Sequence, residues 1–200
     1  MAVELRKGQK VNLSKNADKP LGEILINLNW SQPPAKKFLG LTLPQQSIDL
    51  DLGCLYEMKN GKKGCVQALG KMFGSLQGFP YIALDGDDRS GAASDGENLH
   101  INGAHISEFK RILIYTFIYE GAANWRSADG VVTVKCPGSQ DLIVRMDEYG
   151  SALKMCAIAM LENSNNETFS VEKLVQFYDG HIKMDRTFNW GMNWTPGRKD

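Results

Sequence analysis

No stretch of this 200-residue sequence approaches about 18 uncharged apolar residues, so it contains no candidate membrane-spanning helix. Its first residues, Met1 to Lys7, lack the apolar run of a secretion signal, and the expected location is the cytoplasm. Excess charge is missing as well. Lys plus Arg and Asp plus Glu are equal at 23 each, so no general field draws the chain to nucleic acid or to an anionic membrane. Cysteine is scarce and scattered at Cys54, Cys65, Cys136 and Cys156, without the density of a disulfide scaffold or the paired spacing of a zinc ribbon. These are expected to be reduced, buried thiols. His100, His105 and His181 form no zinc-ligand spacing, no Gly-x-Ser-x-Gly elbow occurs, and the glycine-rich stretch Gly86–Gly96 lacks the Gly-Lys-Ser/Thr ending of a phosphate loop.

What is present is strand pattern. Ile24, Ile26, Leu28 and Trp30 alternate with Asn27 and Asn29, the period of a strand with one wet face. Pro33, Pro34 and Pro44 mark a loop, and Gly61 and Gly64 frame a turn. Residues 111–119 are apolar on both faces and rich in β-branched and aromatic side chains, as a central, doubly covered strand requires. Shorter apolar runs at 81–84, 131–136, 141–146 and 155–161 are separated by Gly and Pro signals. Residues 169–178 fit either period and are read as strand, while 106–110 is the helical segment, with Ser107 as its cap. Trp190 and Trp194 are expected to clamp the C-terminal segment onto the body. The fold class is therefore all-β: a two-sheet antiparallel β-sandwich with short helices in its connections, forming one domain over 1–200.

The chemistry lies in oxygen. Ile48, Leu50 and Leu52 share one strand face, so Asp49 and Asp51 project together from the other. The segment Asp85–Glu97 holds five carboxylates and three internal glycines between two expected strands. Calcium takes six to eight hard oxygen ligands, and a glycine-rich loop can turn its carbonyls inward as well. The spacing is not that of an EF-hand, because Arg89 stands where a third oxygen is needed. Magnesium, which keeps near-octahedral geometry and several waters, suits such a cage less. A solvated Asp-Gly hairpin turn is the alternative on these residues alone. Arg89 is expected to brace the loop through a carboxylate, with anion anchoring as its other role; Trp125, beside Asn124 and Arg126, is read as packing or as a carbohydrate or partner platform.

Together, Asp49-Leu50-Asp51, Gly86-Asp87-Asp88-Arg89-Ser90-Gly91 and Asp95-Gly96-Glu97 resemble the signature of the tellurium-resistance TerD family of bacterial stress proteins. Ile118-Tyr119-Glu120-Gly121, Cys156-Ala157-Ile158-Ala159 and Trp190-Gly191 are similar to its TerA branch. The resemblance implies a β-sandwich binding one or two calcium ions through Asp49, Asp51, Asp87, Asp88, Asp95 and Glu97. Ala92, Ala93, Ser94 and Asn98 stand where the family is usually more acidic, which implies weaker binding or a single ion. It further implies a non-enzymatic module of a tellurite-resistance and stress-response system, in which the ion orders loops for other proteins of that system. A metal-dependent hydrolase or a carbohydrate-binding domain, with the ion touching substrate oxygens, is the competing reading.

Overall fold

The structure is a computed structural model, and it describes residues 2–14, 20–32, 48–85, 96–121, 125–146 and 152–197, with the backbone of 37–38 and 41–42. In chain order the first strands are β1 (Val3–Glu4), β2 (Lys10–Asn12), β3 (Glu23–Asn29), β4 (Lys37–Phe38), β5 (Leu41–Thr42), β6 (Asp49–Met58) and β7 (Lys63–Gln67). They are followed by β8 (Gly74–Ser75), β9 (Ile82–Leu84), β10 (Glu97–Asn102), β11 (Phe109–Glu120), β12 (Val131–Lys135), β13 (Leu142–Arg145), β14 (Met155–Ser164) and β15 (Thr168–Tyr178). Among the described residues the helices are short: α1 (Trp125–Ala128), α2 (His181–Thr187) and two 3-10 turns.

One sheet runs β1-β13-β12-β3-β10-β9-β8 and the other β2-β15-β14-β11-β6-β7, with β4-β5 as a separate ribbon. Pairing is antiparallel except for β1 on β13. The alternation read in β3 has the cause assigned to it: Ile24, Ile26 and Leu28 are fully buried between the sheets. β11 is indeed central, lying between β14 and β6. Its Ile112, Ile114 and Ile118 enter the main core, whereas Leu113, Tyr115 and Phe117 form a second apolar cluster with Met184 and Trp190. α2 and the C-terminal segment thus cover the outer face of the six-stranded sheet. Trp190 clamps as expected, fully buried and donating its indole N–H to Tyr56 O at 3.1 Å. Asp185 holds the segment in place by accepting from the Gly191 and Met192 amides and the Trp194 indole at 2.7, 2.8 and 2.7 Å.

Three expectations are corrected. The helical segment is a 3-10 turn at Gly103–Glu108, and its cap is Asn102, whose side chain accepts from the Ala104 amide, instead of Ser107. Phe109 is needed in the core, so Phe109 and Lys110 already belong to β11. Gly64 lies inside β7, where the Tyr56 ring crosses it so closely that a Cβ would fall 2.2 Å from the phenol oxygen; only Gly61, at φ +84°, serves the turn. α2 has no sequence period to announce it, being only seven residues long. The ambiguity of 169–178 also has a cause. Lys173 pairs with Ala159 and Gln176 with Ala157, so two residues of β15 oppose Ile158 in a bulge, and Val175 sits at φ +47°. Pro33, Pro34 and Pro44 lie outside the described residues.

Candidate metal centre

β7 pairs with Gly53–Glu57, so among the described residues Asp49–Leu52 has no strand neighbour on that side of β6, while on the other Asp51 faces Phe117 and Asp49 faces Glu120 of β11. A backbone donor left there inside the protein needs a partner. Glu97 provides it, accepting the Leu52 N–H through Oε2 at 2.5 Å. Glu97 opens β10 in the opposite sheet and shares a face with the buried Leu99 and Ile101, so this carboxylate reaches across the sandwich. Asp49 is 3 % exposed, Asp51 0 % and Glu97 3 %. Three of the six expected ligands are therefore buried, Asp49 and Asp51 on β6 and Glu97 on the strand end that bonds to it, and burying carboxylates carries a large desolvation cost unless opposite charge compensates it.

Asp87, Asp88 and Asp95, with Arg89, lie outside the described residues. The residues bracketing their segment are nonetheless fixed beside Glu97. The Asp85 amide donates to Asn98 O at 3.0 Å. Gly96 sits at φ +63° with the position of a Cβ only 2.1 Å from Leu28 O, so no side chain fits there. Among the described residues alone, no group of three His, Cys, Asp or Glu side chains is arranged to hold a metal. A further buried oxygen that the sequence reading did not single out is on β11: Thr116, opposite Leu52, is fully buried, and its hydroxyl has no hydrogen-bond partner among the described residues. A lone threonine in an apolar strand carries no signal that would have singled it out.

Behind Asp51 the sheet is closed by a tyrosine. The Tyr115 ring lies across Gly53, where an added Cβ would come within 2.7 Å of it, and its hydroxyl donates to Gln67 Oε1 at 2.7 Å. Burial holds the Tyr115 phenol well above its ordinary pKa, assisted by Cys65, Cys54 and Asp51. Gly53→Ala should accordingly lower the unfolding free energy by about 1–3 kcal/mol through overpacking, measurable by urea denaturation.

The competing chemistries find little support in the described residues. All four cysteines are free and buried, and burial raises the Cys54 and Cys65 thiols, the latter to about 11, so neither is a thiolate at neutral pH. Trp125 is fully buried, its indole donating to Leu153 O at 2.8 Å, which decides for packing over a binding platform. His105 stacks on Tyr81 with ring centroids 3.7 Å apart. His100 is bonded on both sides, Nδ1 to Glu23 at 2.6 Å and Nε2 to Asp85 at 2.8 Å. Burial alone would lower its pKa, but the hydrogen bonds and charges of Asp85 and Glu23 outweigh burial and raise it. This stabilisation is fully present below the unfolded value near 6.5 and is lost as pH rises through the higher folded value. An NMR titration should place His100 above 6.5, and His100→Gln should flatten the decline of stability on the alkaline side.

With this geometry in view, the TerD domain profile matches residues 1–136, and the chain belongs to the TerD domain family. It is 43 % identical over 191 residues to "Tellurium resistance protein TerA" of an Alcaligenes species, covering 94 % of this chain and 56 % of that protein. The chain thus spans little more than half the length of that relative. Among solved structures it resembles a homologue of telluride resistance protein (TerD) from Streptomyces coelicolor, with TM-score 0.58 and 15 % identity over 82 % of this chain and 95 % of that one. A crystal structure of a protein of unknown function gives TM-score 0.60 and 14 % identity over 84 % and 95 %. At such identities these two establish the sandwich fold alone. No helix among the described residues is long and apolar enough to cross a membrane.

Proposed function

We propose that this chain is a calcium-binding, non-enzymatic module of a bacterial tellurite-resistance and stress-response system. It works as one TerD-like domain in the cytoplasm, where the bound ion orders loops that other proteins of the system engage. The observation that carries the reading is the burial of the Asp49, Asp51 and Glu97 carboxylates, with Glu97 bonded to the Leu52 amide of the strand that bears the two aspartates and the bracketing residues of the Asp87, Asp88 and Asp95 segment fixed beside Glu97. Carboxylates are hard oxygens, suited to calcium, while the buried Cys54 and Cys65 thiols are not the thiolates that favour zinc. Membership of the TerD domain family and the name of the TerA relative support the resistance role.

Isothermal titration of the chelator-treated protein with calcium near neutral pH is the test. Saturable binding tighter than about 1 mM, of one or two ions, is expected. Absence of any such binding overturns the reading.

A further inference from the structure

We propose that the C-terminal layer forms a second site, apart from the acidic corner, that binds a small aromatic carboxylate. A cavity of ≈ 650 Å3 opens between the end of β7, α2 and the segment after Trp194. That volume lies within the range of small-molecule sites, about 300–1,000 Å3. The segment crosses back over the body, so that a Cβ at Gly197 would lie 3.5 Å from the Gly70 nitrogen and from Leu69, and it walls the cavity on one side.

The floor is polar and preorganised. Gln67, only 6 % exposed, accepts through one oxygen both the Tyr115 hydroxyl at 2.7 Å and His181 Nε2 at 3.0 Å. This arrangement places the imidazole proton on Nε2 and leaves the Nδ1 lone pair as an acceptor. Burial lowers the His181 pKa to about 4, so the ring is neutral at pH 7. The Gln67 Nε2 makes no hydrogen bond to any described residue, and Gln67 lines the cavity. A donor and an acceptor, both held by packing, are thus offered to an occupant.

The walls add a flat face and a charge. Trp194 is fixed at its edge by the bond to Asp185, with its ring centroid 4.8 Å from that of His181. On the rim, Lys183 is paired with Asp179 at 2.7 Å, but the Arg186 guanidinium makes no hydrogen bond or ion pair with a described residue. A free guanidinium matches a carboxylate in shape and charge, and an indole face suits an aromatic ring. A planar ring carrying one carboxylate satisfies both, while an aliphatic acid or a neutral aromatic satisfies only one.

The test uses indole-3-acetate as probe, with cyclohexylacetate and indole-3-ethanol as partial mimics, in calorimetric titrations and 1H–15N spectra of the whole chain. Indole-3-acetate should bind saturably, shift the Trp194 indole resonance, and bind about tenfold or more tightly than either mimic. Arg186→Glu should weaken it about tenfold or more, with Arg186→Lys in between. Arg186 is exposed and its guanidinium makes no hydrogen bond or ion pair with a described residue, so these variants should melt like the parent protein, and Trp194→Phe assigns the indole signal. No saturable binding to the parent protein, or equal affinity in parent and Arg186→Glu, overturns the proposal.

Discussion

Calcium at about 100 times its dissociation constant should raise the unfolding free energy by roughly 2.7 kcal/mol, and Asp51→Ala should erase most of that gain. With calcium the parent gains stability and the variant does not. Asp87→Ala should behave like Asp51→Ala. Asp141→Ala, next to β13 and away from the corner, should keep the full calcium response. Thermal melts of all four proteins with and without chelator decide the matter: equal calcium shifts throughout would dismiss the ligand assignment.

The second large effect concerns Trp190. Its ring is fully buried, the Arg111 guanidinium lies 4.0 Å from its centroid, and Lys63 Nζ donates to its carbonyl at 2.6 Å. Arg111 also donates to Phe188 O at 2.9 Å, while its Nε binds Glu57 at 2.6 Å. Trp190→Ala should therefore cost about 3–5 kcal/mol in urea unfolding, the range for losing a large core aromatic. Trp190→Phe keeps most of the apolar area but leaves Tyr56 O without its indole donor, and about 1–3 kcal/mol is expected. A loss below about 1 kcal/mol for the alanine variant would show that the C-terminal layer contributes little to the fold.

Much of this architecture is legible in the sequence because burial imposes a period. β3 alternates since one face meets the core, and β11 is apolar throughout since both faces are covered. What was not legible has physical reasons too. The bulge at Val175 breaks the alternation of β15, Gly64 looks like a turn residue because sequence cannot show the Tyr56 ring above it, and α2 is too short to display a helical period. For the acidic corner, the two-residue spacing of Asp49 and Asp51 foretold their shared face. That Glu97 reaches the Leu52 amide of the same strand depends on where β7 stops, a tertiary fact with no local signal. Thr116 and the His181 cavity belong to the same class, assembled from residues distant in the chain and individually unremarked.

The Glu97 bond to the Leu52 amide makes the acidic corner a rivet between the two layers of strands. A cation seated there would fasten a seam, so withdrawing it should loosen the junction before it melts the interior. The Leu52 amide then serves as a built-in gauge: its exchange with heavy water should quicken on chelation while amides in the middle of β11 stay slow, so that ion occupancy is read as the tightness of one joint.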